Sequence, residues 1–313
     1  FAAGGAARRA GRRPLSAEPM DSKPDPRAAE PPMLTVLAVL RKTAEFFGAR
    51  GIPNPRLDAE LLVGHALGLP RMQLYLQFER LLAEPELARI RALVRRRASR
   101  EPLQYVVGEV EFHGLKLKVD RRALIPRPET ERLVELVIER AGLPPATALD
   151  LGTGTGAIAL ALAKAWPEAE ITGVDSSSDA LALAAENAAA SGLSGRVSFL
   201  RSSWFSALPE GATYPWIVAN PPYLSEGEAA RAMPEVSGHE PAAALVAGED
   251  GLAALREILE GAPPRLAPGG WLALESGPDQ HEALRELARR AGCSRVESVR
   301  DLAGRDRYFF ASA

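Results

Sequence analysis

A glycine-rich segment near the middle of the chain constrains its fold most. Asp150-Leu-Gly-Thr-Gly-Thr-Gly-Ala157 joins an apolar stretch that predicts a strand to one that predicts a helix. Glycines at such a junction let the backbone turn tightly and approach a ligand closely. Nineteen residues beyond Gly156, the next predicted strand ends in Asp175, whose carboxylate can accept hydrogen bonds from both ribose hydroxyls. The pattern indicates an adenosine cofactor. It leaves open a methyltransferase, a nicotinamide or flavin enzyme, and a purely structural turn.

The chain around and after this segment alternates predicted strands with helical stretches. The predicted strands are Ala146–Asp150, Glu170–Val174, Val197–Leu200, Trp216–Ala219 and Trp271–Glu275. This alternation is typical of an α/β protein with a doubly wound, Rossmann-like parallel sheet. Two further candidates, Arg295–Val299 and Arg307–Phe310, are separated by Gly304 and predict a terminal antiparallel hairpin.

The N-terminal part has a different pattern. From Leu34 to about Arg100, apolar residues recur every three or four positions, which predicts a small helical bundle. We interpret the run Arg95–Arg97 as a solvated helix face, with docking of an acidic partner as the alternative. From Val110 to Val119 the period changes to two around His113-Gly114, which predicts a β-hairpin.

Residues 1–32 have almost no large apolar side chains and are rich in Ala, Arg and Pro, which predicts a disordered tail. An organelle transit peptide is the alternative, and Met20 or Met33 are candidate starts because the sequence opens on Phe1.

Composition and charge argue against several classes of function. A formal net charge of -2 gives no global basic field, so nucleic acid is not the expected partner. The single cysteine excludes an internal disulfide framework, and the four histidines have no ligand spacing, so we expect no metal site. No apolar run reaches the roughly eighteen residues that span a bilayer, so we expect no membrane segment.

A second motif, Asn220-Pro-Pro-Tyr223, directly follows the predicted strand Trp216–Ala219. Two prolines end the strand, and a simple strand-ending turn is one interpretation. However, doubly wound sheets bind ligands at the carboxyl ends of their strands. There the Asn220 side-chain oxygen and the Pro221 carbonyl can accept both hydrogens of an NH2 group, with Tyr223 over a planar face.

Such acceptors suit methylation of an amide. An amide nitrogen is a weak nucleophile because its lone pair is delocalised, and two acceptors aimed at its hydrogens return electron density to it and fix its direction of attack. Positioning and electrostatics then suffice without a dedicated general base. A hydride-transfer enzyme has no use for this motif. Together the two motifs predict an S-adenosylmethionine-dependent methyltransferase that acts on a planar amide or amino nitrogen.

From Met33 to Phe310 the chain resembles the protein-glutamine N5-methyltransferases of class I peptide chain release factors, the PrmC/HemK family. The motif Asn-Pro-Pro-Tyr alone is shared with adenine-N6 DNA and guanine-N2 RNA methyltransferases; its combination with the helical region and Leu124–Glu131 is specific. The segments that carry the resemblance are Arg56–Leu62, Glu101–Tyr105, Gly108–Phe112, Leu124–Glu131, Trp204–Leu208, Asn220–Tyr223, Glu240-Pro241, Gly251-Leu252, Pro268–Gly270, Glu275, Gly277 and Gln280.

The resemblance implies roles for individual residues. The loop Gly152-Thr153-Gly154-Thr155-Gly156 would hold the methionyl part of the cofactor, Asp175 its ribose, and Trp204 its adenine, although core packing is an alternative for Trp204. Asn220, Pro221, Pro222 and Tyr223 would receive the glutamine amide and form the catalytic site, and Asn220 would also contribute to the cofactor site. Arg127 would contact the substrate, besides preceding a helix that starts at Pro128. Where the family commonly has an acid before the tryptophan, this chain has Ser203, so we expect weaker cofactor binding.

The implied reaction is methylation of the glutamine in the Gly-Gly-Gln loop of class I release factors, which modulates translation termination. We expect a cytoplasmic monomer. A nucleic-acid methyltransferase that flips out a base and a non-catalytic cofactor-binding protein are the rivals. The predicted organisation is a disordered tail (1–32), a helical substrate-recruiting domain (33–105), a β-hairpin linker (106–125) and a methyltransferase domain (126–313).

Overall fold

A computed structural model describes residues 34–313, and its first part is a cluster of five helices. Apolar residues three or four positions apart, among them Val36, Phe47, Leu62 and Leu74, pack into one buried core, so the predicted helical bundle is confirmed. The predicted disordered tail lies outside the described residues. The helices are α1 (Val36–Ala49), α2 (Pro55–Leu67), α3 (Arg71–Leu76), α4 (Glu84–Ala98) and α5 (Leu103–Val107).

The predicted hairpin follows α5. It consists of β1 (Glu109–Phe112) and β2 (Leu115–Lys118), in which Phe112 pairs with Leu115. His113 and Gly114 form the two-residue turn with φ of 49° and 66°, the left-handed geometry that matches the twist of hairpin strands. Phe112 and Leu117 are buried in the core of the following sheet, so the hairpin packs against the C-terminal part of the chain.

The C-terminal part is built on a seven-stranded sheet with the order β5-β4-β3-β6-β7-β9-β8. The first five strands in this order are parallel, and β9 is antiparallel to both its neighbours. The predicted doubly wound sheet and terminal hairpin are confirmed. The strands are β3 (Thr147–Leu151), β4 (Glu170–Asp175), β5 (Val197–Arg201), β6 (Tyr214–Ala219), β7 (Leu266–Glu275), β8 (Arg295–Arg300) and β9 (Asp306–Ser312).

Helices cover both faces of this sheet. Alternate residues of one strand face opposite sides, so Ala148 packs in the core that contains Leu133 of α6 and Leu160 of α7, whereas Leu149 packs with Leu255 of α11. Among residues 34–313, no helix is both long and apolar enough to cross a membrane. The helices are α6 (Pro128–Ala141), α7 (Ala157–Ala165), α8 (Ser178–Ala190), α9 (Glu226–Arg231), α10 (Pro234–His239), α11 (Ala253–Gly261) and α12 (His281–Arg290).

The strand order predicts where a ligand binds on this sheet. The chain runs from β3 outward to β4 on one side, and β6 then lies on the other side of β3. Doubly wound sheets bind ligands outside the carboxyl ends of the strands where the order reverses. The segments after β3, β4 and β6, which carry both sequence motifs, therefore meet at one edge of the sheet.

The interpretation of Arg95–Arg97 as a solvated face is wrong for Arg97. Its side chain is 5% exposed; Nε donates to Asp58 Oδ2 at 2.7 Å and a terminal nitrogen donates to Glu235 Oε1 at 2.9 Å. Asp58 lies on α2 and Glu235 on α10. Arg97 is thus the centre of a buried ion-pair cluster between the helical bundle and the segment after the Asn-Pro-Pro-Tyr motif.

Candidate active site

The glycine loop connects β3 to α7 and is fastened at its base by Asp150. Asp150 Oδ2 accepts hydrogen bonds from Thr153 Oγ1 at 2.6 Å and from the Ala159 amide at 3.1 Å. Complete burial raises the pKa of Asp150 to about 7. Gly152 and Gly154 have φ of 69° and 55°, a conformation that residues with a side chain rarely adopt. The loop therefore turns tightly at two glycines whose backbone has no side chain to block a ligand.

Asp175 ends β4 beside this loop. Its Oδ2 accepts from the Gly154 amide and its Oδ1 from the Ser177 amide, both at 2.9 Å. A carboxylate offers about four lone-pair positions, so acceptor capacity remains, and the half-buried side chain lines a cavity. This geometry fits a carboxylate that receives two ribose hydroxyls.

A cavity of about 290 Å³ lies at the carboxyl ends of the strands. Gly156, with φ of 82°, does not line it; a Cβ there would lie 3.2 Å from Ala184 Cβ, so this glycine permits close packing of α7 on α8. Pro221, Tyr223 and Arg127 also lie outside the lining. The predicted site residues that line the cavity are Gly152, Thr153, Gly154, Thr155, Asp175, Trp204, Asn220 and Pro222.

Trp204 brings a flat ring to this cavity. A Cβ at position 152 would lie 3.5 Å from its Cζ3, so the ring is in contact range of the glycine loop. Ser203 also lines the cavity, is exposed, and carries no charge. A glycine-rich loop, a carboxylate with remaining acceptor capacity and an aromatic ring thus line one cavity, and these residues fit an adenosine cofactor.

Asn220 follows β6 and completes the cavity. Its Nδ2 donates to Thr130 Oγ1 at 2.8 Å, and Thr130 Oγ1 donates to Glu275 Oε2 at 2.7 Å. The described residues supply no hydrogen-bond donor to Asn220 Oδ1. The asparagine is therefore held by its nitrogen, while its oxygen is available as an acceptor.

The backbone of Tyr223 is fixed by residues far along the chain. Its carbonyl accepts from Gln280 Nε2 at 2.9 Å, and a Cβ on Gly251 would lie only 2.5 Å from the same oxygen. Its hydroxyl donates to Glu275 Oε1 at 3.1 Å. Gly251 and Gln280, which carry part of the family resemblance, hold the Asn-Pro-Pro-Tyr loop. Packing of the Tyr223 ring over a planar substrate group stays a prediction.

Arg127 precedes α6 and is paired within the protein. Its guanidinium donates to Glu240, which also accepts from the Ile125 amide at 3.2 Å. Helix α6 begins at Pro128, as predicted. A substrate contact by Arg127 stays a prediction.

The sequence predicts no individual role for Thr130 or Glu275, although the position of Glu275 at the end of a predicted strand was a signal. In the parallel pair β6–β7, Ala219 is opposite Leu274, so Asn220 and Glu275 follow at the same edge of the sheet. Burial raises the pKa of Glu275, although the hydrogen bond from Thr130 and the charge of Arg307 oppose that shift. Thr130 reaches Asn220 and Glu275 from α6, and no periodic pattern in the sequence predicts these contacts.

Two protein-family models match the chain. A PrmC N-terminal domain matches residues 38–108, and a methyltransferase small domain matches residues 130–238. The release factor glutamine methyltransferase of Vibrio cholerae is 43% identical over 88% of this chain and 95% of its own. The protein of that name from Geobacter sulfurreducens is 43% identical over 89% and 96%, and that from Deinococcus radiodurans is 45% identical over 82% and 91%.

Among solved structures, the catalytic domain of hMettl16 in complex with MAT2A 3'UTR hairpin 6 shares the fold, with a TM-score of 0.51, 17% identity, and 75% and 84% of the two chains covered. The fold, the matched methyltransferase domain and the cavity define an S-adenosylmethionine-dependent methyltransferase. More narrowly, the chain belongs to the release factor glutamine methyltransferase family.

Proposed function

We propose that this enzyme transfers the methyl group of S-adenosylmethionine to the N5 side-chain amide nitrogen of the glutamine in the Gly-Gly-Gln loop of class I release factors, and thereby modulates translation termination. One observation carries the proposal. Asn220 lines the same cavity as the glycine loop and Asp175, and its nitrogen is tied to Thr130 while its oxygen is not engaged. An amide acceptor beside a cofactor cavity suits an NH2 substrate.

The chemistry required of the protein is positioning. When bound, the cofactor supplies an electrophilic methyl group, and the methylated nitrogen then releases one proton to solvent. Asn220 Oδ1 and the Pro221 carbonyl would accept the two hydrogens of the glutamine NH2, which holds its nitrogen in one orientation and draws electron density onto it. Acceptors already in place need no reorganisation during reaction. Tyr223, anchored at both its carbonyl and its hydroxyl, would keep the loop that carries these acceptors rigid.

The other predicted residues would bind the cofactor. The loop Gly152-Thr153-Gly154-Thr155 would hold the methionyl part, Asp175 the ribose and Trp204 the adenine. Ser203 would accept a hydrogen bond without the charge of a carboxylate. Pro222 lines the cavity beside Asn220 and would help shape the entry for the glutamine side chain.

Asp175→Ala should weaken S-adenosylmethionine binding by about 1–3 kcal/mol, the cost of a lost hydrogen bond to a charged acceptor. The substitution also frees the Gly154 amide, which Asp175 Oδ2 holds at 2.9 Å. Isothermal titration calorimetry measures the dissociation constant. Asp179→Ala, an exposed aspartate in the first turn of α8, is the matched control. Equal affinity in both variants would show that the ribose does not lie on Asp175.

The substrate class is tested by labelled methyl transfer. Purified enzyme and methyl-labelled S-adenosylmethionine are incubated with a release factor, with the same factor carrying Gln→Ala in its Gly-Gly-Gln loop, and with DNA or ribosomal RNA. Label should enter only the intact factor. Label in nucleic acid instead would support the rival activity on an exocyclic base nitrogen.

We infer further that the enzyme acts as a cytoplasmic monomer without a nucleic-acid partner. The formal net charge of -2 supports the last point. Size-exclusion chromatography with light scattering gives the oligomeric state, and microscopy of the tagged full-length chain gives its location.

A further inference from the structure

Three side chains from different elements converge behind Asn220. Thr130 lies on α6, Glu275 ends β7, and Tyr223 lies three residues after Asn220 in the segment that follows β6. Glu275 is 1% exposed and accepts two hydroxyl hydrogen bonds, from Thr130 at 2.7 Å and from Tyr223 at 3.1 Å. None of these contacts requires a bound substrate, so the arrangement is built into the protein.

The number of available hydrogens sets the direction of these hydrogen bonds. Glu275 Oε2 accepts from Thr130 Oγ1, and a threonine hydroxyl has a single hydrogen. Because Thr130 gives that hydrogen to Glu275, it can only accept from Asn220. It therefore selects the Asn220 nitrogen over the oxygen, since Nδ2 is the donor that reaches it at 2.8 Å. The other end of the amide, Oδ1, must then face away from Thr130.

We propose that Thr130 and Glu275 are positioning residues that fix the orientation of the Asn220 amide, so that its oxygen faces the nitrogen to be methylated. This inference rests on the proposed role of Asn220 as an acceptor for the glutamine NH2. A flipped Asn220 would present two hydrogens to a group that also carries two, and the contact would become repulsive. Neither residue needs to touch the reacting nitrogen to act in this way.

The kinetic test uses Thr130→Val, Glu275→Met and Thr130→Ser. Valine keeps the shape of threonine but lacks the hydroxyl. Methionine keeps the unbranched chain of glutamate but has no oxygen to accept from Thr130, so the Thr130 hydrogen is free to bond Asn220 Oδ1 and the flip is permitted. Each of these two variants should lower kcat on the order of tenfold or more, as for other groups that orient a site residue. Serine, which retains the hydroxyl, should restore most of the turnover.

Two measurements distinguish loss of the Asn220 orientation from a general loss of folding or cofactor binding. S-adenosylmethionine affinity should remain within about twofold of the wild type, because the glycine loop, Asp175 and Trp204 are unchanged in these variants. Thr43→Val, which removes a buried hydroxyl of α1 outside the cavity, should leave kcat unchanged. A Thr130→Val enzyme with wild-type kcat on an intact release factor would overturn the positioning role while leaving the proposed function standing.

Orientation is also measured without any substrate. In 15N-labelled wild-type enzyme, the Asn220 side-chain amide signals, identified by their loss in Asn220→Ala, should show one hydrogen protected from exchange with water. Thr130→Ser should keep this protection, and Thr130→Val and Glu275→Met should lose it. Unprotected hydrogens in the wild type would refute the inference even if the enzyme methylated another substrate or if a variant failed to fold.

Discussion

Asn220→Ala should lower turnover at least about a hundredfold, the usual cost of losing one oriented contact to a transition state. The substitution removes Oδ1, the proposed acceptor for a glutamine hydrogen, and leaves only the Pro221 carbonyl to orient the nitrogen. Cofactor affinity should stay nearly unchanged because the glycine loop and Asp175 remain. Steady-state kinetics on an intact release factor gives kcat, and calorimetry gives the dissociation constant of S-adenosylmethionine.

The matched control for this substitution is Asn54→Ala. Asn54 is exposed, precedes α2 and makes no side-chain capping hydrogen bond, so its removal tests loss of an asparagine away from the cavity. We expect normal turnover in the control. Normal turnover in Asn220→Ala as well would rule out Asn220 as an acceptor for the glutamine amide. A large loss of cofactor affinity would instead show that Asn220 acts mainly in cofactor binding.

Arg97→Ala should destabilise the protein by about 3–5 kcal/mol, the typical cost of removing one partner from a buried ion pair. Asp58, with a side chain 12% exposed, would lose its 2.7 Å partner and remain as an uncompensated charge. Glu235 would keep Arg100 at 2.6 Å, so most of the penalty arises at Asp58. Chemical denaturation followed by circular dichroism measures the free energy of unfolding.

The neighbouring Arg95 supplies the control for charge and helix propensity. It lies on the same helix and is exposed, so Arg95→Ala should change the free energy of unfolding by less than about 0.5 kcal/mol. If Arg97→Ala were equally mild, Arg97 would be a solvated residue as the sequence suggested. Asp58→Asn combined with Arg97→Ala should recover part of the loss, because it removes the stranded charge.

Local patterns were sufficient to predict most of the architecture. Each predicted strand of the sheet lies within a few residues of the observed one, because buried parallel strands are short apolar runs bounded by polar turns. His113-Gly114 forms the expected turn because both residues adopt positive φ. The glycine loop and the Asn-Pro-Pro-Tyr motif meet in one cavity because both follow the carboxyl ends of adjacent strands.

Local sequence patterns do not predict contacts between elements that are far apart in the chain. Arg97 belongs to a run of arginines on a polar helix, and only the approach of Glu235, 138 positions later, makes its burial favourable. Thr130 and Glu275 are brought together across 145 positions by the packing of α6 on β7. The sequence therefore predicts residues that line the cavity better than buried contacts between distant elements. The domain boundaries at 33–105, 106–125 and 126–313 stay predictions.

The most direct test of the central claim is to locate the transferred methyl group. A class I release factor is incubated with the enzyme and S-adenosylmethionine, digested, and the peptide with the Gly-Gly-Gln sequence is fragmented in a mass spectrometer. The proposed function predicts one added methyl group on the side chain of that glutamine, formed at least about a hundredfold more slowly when the enzyme carries Asn220→Ala. An unmodified glutamine after prolonged incubation with enzyme shown to bind S-adenosylmethionine, or a methyl group on another residue, would contradict it.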